Sequence, residues 1–318
     1  MSIIVGYCPG ILTEELLKSG APRVVALENQ EYFLPFIGKL SQQYPNRLQC
    51  VYADVNRLDP VGDGDVFPPA RTSIDLFQII GAKPTEWESD PVVKVIHMVA
   101  NKYNERALLL RNIFNLVNRF SWFQYGRIEN YFLISHKDYK AITHTPKQKY
   151  RSQYLPLAVL HDMTCHVELL HTEPRTSFHP FPKMSMDPPT QPSQIPDVHL
   201  IKVTPRRDFF SYNLCRTDYG LLCFMVKQFM SKKSTHLMTA VENWAPGCGH
   251  VVTSLGLDSK TLTGDITGKQ YFQLFLEICK NNGFDGSWLK EEALDFVDGG
   301  LLLSDHPSSS RSRYRYAF

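Results

Sequence analysis

No apolar run in this sequence reaches the roughly 20 residues that a membrane-spanning helix needs, which argues against a bilayer-spanning role. Net charge is nearly absent as well: 34 Lys and Arg oppose 32 Asp and Glu, leaving +2. A nucleic-acid partner would therefore need a local basic face, because the whole molecule supplies no field. The seven cysteines show no paired spacing, which fits reduced thiols in an intracellular compartment rather than a disulfide framework. Met1-Ser2-Ile3-Ile4-Val5 lacks the Arg- and Ser-rich amphipathic character of a mitochondrial presequence, and also the charged and apolar regions of a secretory signal. No internal repeat is visible.

What is present is a globular composition. With 318 residues, 43% hydrophobic and 21% charged, the chain suffices for one large domain or two ordinary ones. Cys8 to Gln30, "CPGILTEELLKSGAPRVVALENQ", reads as a glycine turn, a short helix, a strand and an acidic residue at the strand's end. Ile11, Leu12, Leu16 and Leu17 recur at helical spacing, and Val24 to Leu27 is a compact apolar run of the kind buried on both faces. Helical spacing resumes from Tyr32 to Leu40. Leu48 to Tyr52 is strand-like and runs on to Asp54, and Asp59 to Pro69 is turn-rich. Val92 to Ile96 reads as a further buried strand, Asn104 to Phe120 as a helix and Ile128 to Ser135 as a strand. This alternation predicts an α/β fold with a mainly parallel sheet covered by helices.

The texture changes near Phe181. "FPKMSMDPPTQPSQIP" is too rich in proline for regular structure and is read as a loop over 181–196, followed by a strand from Val198 to Val203. Beyond it the spacing is helical over Tyr219 to Met230, Lys233 to Trp244, Tyr271 to Asn281 and Trp288 to Val297. The expected organisation is a sheet domain over 1–205, a small helical domain over 206–298 and a disordered basic tail over 299–318.

In open α/β sheets ligands bind at the carboxyl ends of the strands, near the topological switch point. A glycine there lets backbone approach a ligand closely. A carboxylate ending the second strand can bind two ribose hydroxyls, and one ending the third can bind an adenine amino group. Gly10, Glu28 and Asp54 stand in those places in order. From pattern alone, solvated strand-end acids remain an alternative.

The words around these residues narrow the choice. "PGILTEELL", "VVALENQ", "VYADVNRLDP", "GRIENYFLISHKDY", "TEPRTSFHPFPK", "HLIKVTPRRDFFSYNL" and "YGLLCFMVKQFMSKKSTHLMTAVENW" together resemble the rRNA adenine N6-dimethyltransferase family, from Cys8 to about Leu294. The wording is most similar to its mitochondrial transcription factor B branch, second paralogue. The resemblance implies a Rossmann-like S-adenosylmethionine-dependent methyltransferase sheet with a small C-terminal helical domain. It also implies S-adenosylmethionine as cofactor, with Glu28 on the ribose, Asp54 on the adenine, and Cys8 and Gly10 in the loop beside the methionine part. In that branch the fold helps the mitochondrial RNA polymerase open promoters. The implied partners are therefore that polymerase and promoter DNA, with small-subunit rRNA as a further partner, in the mitochondrial matrix and as a monomer.

The chain departs from the family where the chemistry is done. Family enzymes orient the adenine amine with an Asn-Leu/Ile-Pro-aromatic loop after the fourth strand, the ring stacking on the flipped base. Here the strand "VVKVI" is followed by "HMVAN", which puts Met98 at the Asn position, Ala100 at the Pro position and Asn101 at the aromatic position. Losing such hydrogen bonds removes ~3–4 kcal/mol of transition-state stabilisation, as for single donors in other enzymes. A shifted register would make Asn101 the catalytic Asn, followed by Lys102-Tyr103-Asn104 with an aromatic but no proline. Cys8 also replaces the first glycine of the family's turn, and no carboxylate precedes it to bind the methionine ammonium. These departures count against cofactor binding. The expectation is a truncated or alternatively started form, with methyl transfer weak or lost.

Lys202, Arg206, Arg207, Arg216, Lys227, Lys232 and Lys233 supply a basic share that could neutralise phosphates. Arg206, Arg207, Lys232 and Lys233 are the chosen nucleic-acid candidates, and "FMSKKSTHL" matches a basic helix start in the family. Phe209, Phe210, Tyr212 and Trp244 could stack or wedge between bases, the alternative being an aromatic core under a solvated face. His161, Cys165, His166 and His171 do not put three ligands on one helical face, so no metal site is expected. Cys248 to His250 is read as loop, and Phe120 to Tyr125 as core. The leading reading is thus a transcription initiation factor. The alternatives are an active rRNA dimethyltransferase and, more weakly, an RNA-binding assembly factor.

Overall fold

The computed structural model describes residues 2–6, 10–60, 66–98, 105–148, 151–178, 197–212 and 214–281. Tyr7 to Pro9, the loop residues Ala100 and Asn101, the Pro-rich stretch 181–196, the helix expected at 288–297 and the tail 299–318 lie outside them.

The chain forms two compact units, one of residues 1–139 with 166–210 and one of residues 140–165 with 211–318. The first unit carries β1 (Ser2–Gly6), α1 (Ile11–Lys18), β2 (Val24–Glu28), α2 (Leu34–Gln43), β3 (Leu48–Tyr52), α3 (Ser73–Ile80), β4 (Val93–Met98), α4 (Glu105–Val117) and β5 (Glu129–Ser135). Helix α5 (His136–Thr143) leads out of it, and α6 (Pro156–Thr164) runs directly into β6 (Cys165–Glu173), which is followed by β7 (Val198–Pro205). The sheet has seven strands in the order β3-β2-β1-β4-β5-β7-β6. Strands β1 to β5 pair in parallel, whereas β7 lies antiparallel on β5.

The order reverses at β1, which has β2 on one side and β4 on the other. The register there sets Gly6 beside both Leu27 and His97, and Glu28 beside Tyr52. Ile3, Val5, Val24 and Ala26 meet Leu17, Ile37 and Leu40 in a buried layer. Removing such side chains from water is the main source of stabilisation here. The mainly parallel sheet expected from the alternating pattern is what the chain forms.

The second unit is helical, with α6, α7 (Arg216–Ser231), α8 (Leu237–Trp244), α9 (His250–Ser254) and α10 (Gly268–Cys279). Residues 140–165, grouped with the sheet on sequence, belong to it because α6 packs on α10. A side chain at Gly268 would strike the Val159 carbonyl and come within 2.8 Å of the Met163 nitrogen. Tyr154 donates its hydroxyl to the Ile266 carbonyl at 2.9 Å, and Tyr271 to that of Thr263 at 2.7 Å. Among the described residues no helix is long and apolar enough to cross a membrane.

Candidate functional site

Four strand ends that neighbour one another in the sheet bring the candidate residues together. Gly10 lies between β1 and α1, with φ 112° and ψ −20°, and its carbonyl accepts the Glu14 N–H at 2.8 Å. An added Cβ there would meet nothing closer than Leu40 Cδ2 at 3.9 Å, so the left-handed backbone, not crowding, favours glycine. Gly6 is different. A Cβ on it would lie 2.7 Å from Val55 Cγ1, so glycine at the end of β1 lets the segment after β3 close over it.

Glu28 ends β2 and Asp54 stands two residues beyond β3; each is 2% exposed. The Ala53 N–H donates to the Glu28 carbonyl at 3.1 Å, which extends the ladder and holds the two acids on adjacent strand ends. Glu28 Oε1 accepts the Gln30 N–H at 2.7 Å. Asp54 Oδ2 accepts the Asn29 side-chain amide at 3.2 Å. Burial raises the Glu28 carboxyl above its usual range and the Asp54 charge adds to this, while the N–H groups of Gln30 and Asn29 oppose it. Two buried acceptors at a sheet's switch point suit a ligand bearing hydroxyls and an amine. The adenosine half of a nucleoside cofactor carries such donors and fits this pair of acceptors. The methionine half would fall on Tyr7 to Pro9, outside the described residues.

Strand β4 runs two residues further than the sequence reading placed it. His97 and Met98 are strand residues, with Met98 opposite Leu133 of β5. Met98 therefore ends β4 at the carboxyl edge, half-buried, where the family's Asn is expected. His97, unnoticed in the sequence, is buried against Phe132 with ring centroids 4.5 Å apart, and bonds Asn130 Oδ1 at 3.1 Å. Burial pushes its imidazole down to about 4, so it is neutral at physiological pH. After residues 99–104, Glu105 opens α4 and accepts the Ser135 N–H at 2.9 Å. Asp138 sits beside it, bonded to the Ser135 hydroxyl and to Arg106. Nothing in local sequence pattern marks this acid pair, because its members meet only through the β4–β5 pairing.

The basic candidates divide. Arg206 and Arg207 belong to the first unit. Arg206 Nη1 lies 3.1 Å from His166 Nε2, and its carbonyl takes the Trp87 indole N–H. Arg207 pairs with Asp90, and Lys202 with Glu168 at 2.6 Å, so part of their charge is already matched. Lys232 and Lys233 belong to the second unit and line a cleft of about 650 Å³ with Ser152, Ser231, Ser234 and Thr235, with no acidic side chain among the described residues that line it. The Lys232 carbonyl accepts the Thr263 hydroxyl at 2.9 Å and the Lys233 carbonyl the Gly264 N–H at 3.0 Å, which fixes the loop that presents them.

Two aromatic expectations are corrected. Phe209 and Trp244 are 2% and 4% exposed, so neither is available to wedge between bases. Phe209 packs on Phe210 and Trp244 on Phe229 and Phe275. Phe210 sets its ring edge-on to Trp87, with Arg119 over it, while Tyr212 stays exposed. Phe120 to Tyr125 is core, as its Trp122 and Phe123 are buried. His161 bonds the Leu157 carbonyl inside α6, and Cys165 accepts the Thr164 hydroxyl. Among the described residues no group of three or more His, Cys, Asp or Glu is gathered as for a metal ion.

Comparison with known proteins bears on what this pocket belongs to. The chain is 29% identical over 290 residues to mitochondrial dimethyladenosine transferase 2 of Bos taurus, an alignment spanning 90% of this chain and 73% of that protein. It is 32% identical over 235 residues to the Rattus norvegicus protein of the same name, spanning 72% of this chain and 58% of the other. Over most of its length this chain is thus similar to the mitochondrial dimethyladenosine transferases. A dimethyladenosine transferase from Plasmodium falciparum superposes with a TM-score of 0.56 at 16% identity, covering 88% of this chain and 90% of that one, which supports the Rossmann-like methyltransferase fold. No protein-family model matches the chain.

Proposed function

We propose that this relative of the mitochondrial dimethyladenosine transferases is a mitochondrial transcription initiation factor in which methyl transfer is weak or lost. The observation that carries the reading is Met98. It ends β4 at the carboxyl edge, where an amine-orienting amide is required, and a thioether is a poor acceptor for an N–H. An exocyclic amine is a weak nucleophile, so it needs well-placed acceptors to be held in line.

S-adenosylmethionine, when bound, supplies an electrophilic methyl group. On this reading Glu28 accepts the ribose hydroxyls, Asp54 accepts the adenine amine, and the Gly10 backbone faces the chain leading to the sulfonium. Lys232 and Lys233, with Arg206 and Arg207, meet phosphates of promoter DNA while the mitochondrial RNA polymerase engages the protein in the matrix. The unit of function is a monomer.

A promoter carrying 2-aminopurine near its start site tests this. Adding the chain to mitochondrial RNA polymerase is expected to raise fluorescence as the duplex opens. No rise above polymerase alone would overturn the reading. A second reading, an rRNA adenine dimethyltransferase of the small subunit, is favoured by the retained carboxylate pair Glu28 and Asp54, which a pure scaffold has no need to bury.

A further inference from the structure

Ser152 lies two residues before Tyr154, whose buried ring anchors this stretch to the second unit through its hydrogen bond to the Ile266 carbonyl at 2.9 Å. The serine itself is exposed, and it lines the same cleft as Lys232 and Lys233. Its carbonyl accepts from Lys233 Nζ at 3.0 Å. An ammonium group assigned above to nucleic-acid phosphates thus rests on the backbone of this residue, within reach of a group carried on its side chain.

The sequence before Ser152 is basic at every second position. "KQKYRS" places Lys147, Lys149 and Arg151 five, three and one residues ahead of it, and no Asp or Glu stands between Asp138 and Asp162. Protein kinases that prefer basic substrates select such charge patterns and reject acidic ones. The other hydroxyls of the cleft are less suited. Ser231 donates to the Gln228 carbonyl at 2.6 Å, and Thr235 is half-buried. Ser234 sits in a turn whose flanking carbonyls, of Lys233 and Thr235, accept the Gly264 and Thr263 N–H groups.

We propose that Ser152 is a phosphorylation site for a basophilic protein kinase, and that its phosphate closes the lysine cleft to nucleic acid. The closing rests on the phosphate-contact reading of Lys232 and Lys233 above; the modification does not. In the transfer, Ser152 Oγ attacks the γ-phosphorus of ATP. The new O–P bond forms as the bond from that phosphorus to the β–γ bridging oxygen breaks, ADP leaves, and the hydroxyl proton passes to the kinase's catalytic carboxylate. The product carries about −1.5 to −2 charge and three strong acceptor oxygens. Lys233 already touches the residue and Lys232 lines the same cleft, so the new charge is matched by both lysines. A phosphate tethered to the cleft competes at high effective concentration with phosphates arriving from a separate strand.

The test treats the full chain with ATP and the catalytic domain of protein kinase C, and maps the modification by tandem mass spectrometry. Phosphate is expected on Ser152 and should be absent there in Ser152→Ala. Phosphate confined to other residues, or none beside a phosphorylated control peptide, overturns the assignment. Fluorescence anisotropy with duplex DNA then compares treated and untreated protein over a salt series. Phosphorylation should weaken binding by about tenfold or more near 0.15 M salt, and reduce the slope of log affinity against log salt by about 2, the loss of two phosphate contacts. Treated and untreated Ser152→Ala should not differ from each other. Equal binding by both forms of the wild type overturns the closing of the cleft while leaving the modification in place. In a Lys232→Ala, Lys233→Ala double variant the phosphate should weaken binding by less than about threefold. An undiminished effect there would mean general repulsion and overturns the pairing with the lysines. No DNA binding by the untreated wild type overturns the phosphate-contact reading, and with it the effect proposed for the phosphate.

Discussion

Glu105 opens α4 with its carboxyl buried beside that of Asp138. Its Oε2 takes the Ser135 N–H, but Oε1 has no hydrogen-bond partner among the described residues. An acceptor facing another carboxylate calls for a proton. Burial, more than the Asp138 charge, raises the Glu105 carboxyl to about 6. The sign follows from which state holds the proton longer. As pH rises through 4.5 the unfolded chain releases it first, so the folded state loses stability until pH passes about 6 and then carries a constant penalty. A rise from 4.5 to about 6 corresponds to about 2 kcal/mol of penalty at pH 8.

Glu105→Gln removes that penalty. The amide oxygen can still accept the Ser135 N–H, and its NH₂ can donate to Asp138. The substitution gives up about 0.5 kcal/mol of charge–dipole stabilisation at the first turn of α4, so a net gain of about 1 kcal/mol or more remains. Urea unfolding of both proteins at pH 5 and pH 8 reads this out, since other titrating groups cancel in the difference. The variant should be more stable at pH 8 and close to the wild type at pH 5. A variant that is destabilised at pH 8, with the same pH dependence as the wild type, would refute the argument.

His97 gives the opposite slope. With its ring held down to about 4 by burial, its stabilisation is present above pH 6.5 and lost as pH falls toward 4, by about 3 kcal/mol in all. His97→Phe, which keeps the ring contact with Phe132, should therefore lose less stability between pH 7 and pH 4.5 than the wild type, as measured by urea titration. Gly126 has φ 116°, and a Cβ on it would strike the Thr85 hydroxyl and lie 3.0 Å from the Thr85 carbonyl. Gly126→Ala is expected to lower stability by about 2–3 kcal/mol, and a loss under 0.5 kcal/mol in thermal melts would contradict the geometry. Lys232→Ala and Lys233→Ala should each weaken DNA binding across unrelated sequences and reduce the slope of log affinity against log salt by about 1. An unaltered slope would remove these lysines from the phosphate contacts.

Much of the first unit was legible because its strands obey a simple rule. Val24 to Leu27 and Leu48 to Tyr52 are apolar runs between turn signals, and both are strands as read. Glu28 and Asp54 could be named because an acid directly after such a run marks a carboxyl end. Strand β6 escaped notice, since "CHVELLHTE" carries charge and two histidines and most of its residues stay exposed, as an edge strand permits. Helix α6 escaped for another reason: its apolar stripe serves α10, a partner more than 100 residues away. Asn29 gave no signal at all. Its bond to Asp54 depends on which neighbour its amide reaches across the sheet, and a linear pattern does not carry that. Phe209 and Trp244 went wrong because a large aromatic reads the same whether it packs a core or meets a base.

Loss of methyl transfer with the fold retained is tested most directly by incubating the chain with labelled S-adenosylmethionine and the small-subunit rRNA 3′ hairpin, beside an active dimethyladenosine transferase. With Met98 at the end of β4, no label should enter the two loop adenines while the control enzyme labels both. Labelling of those adenines by this chain would contradict the reading and give the amine-orienting role to a residue other than Met98.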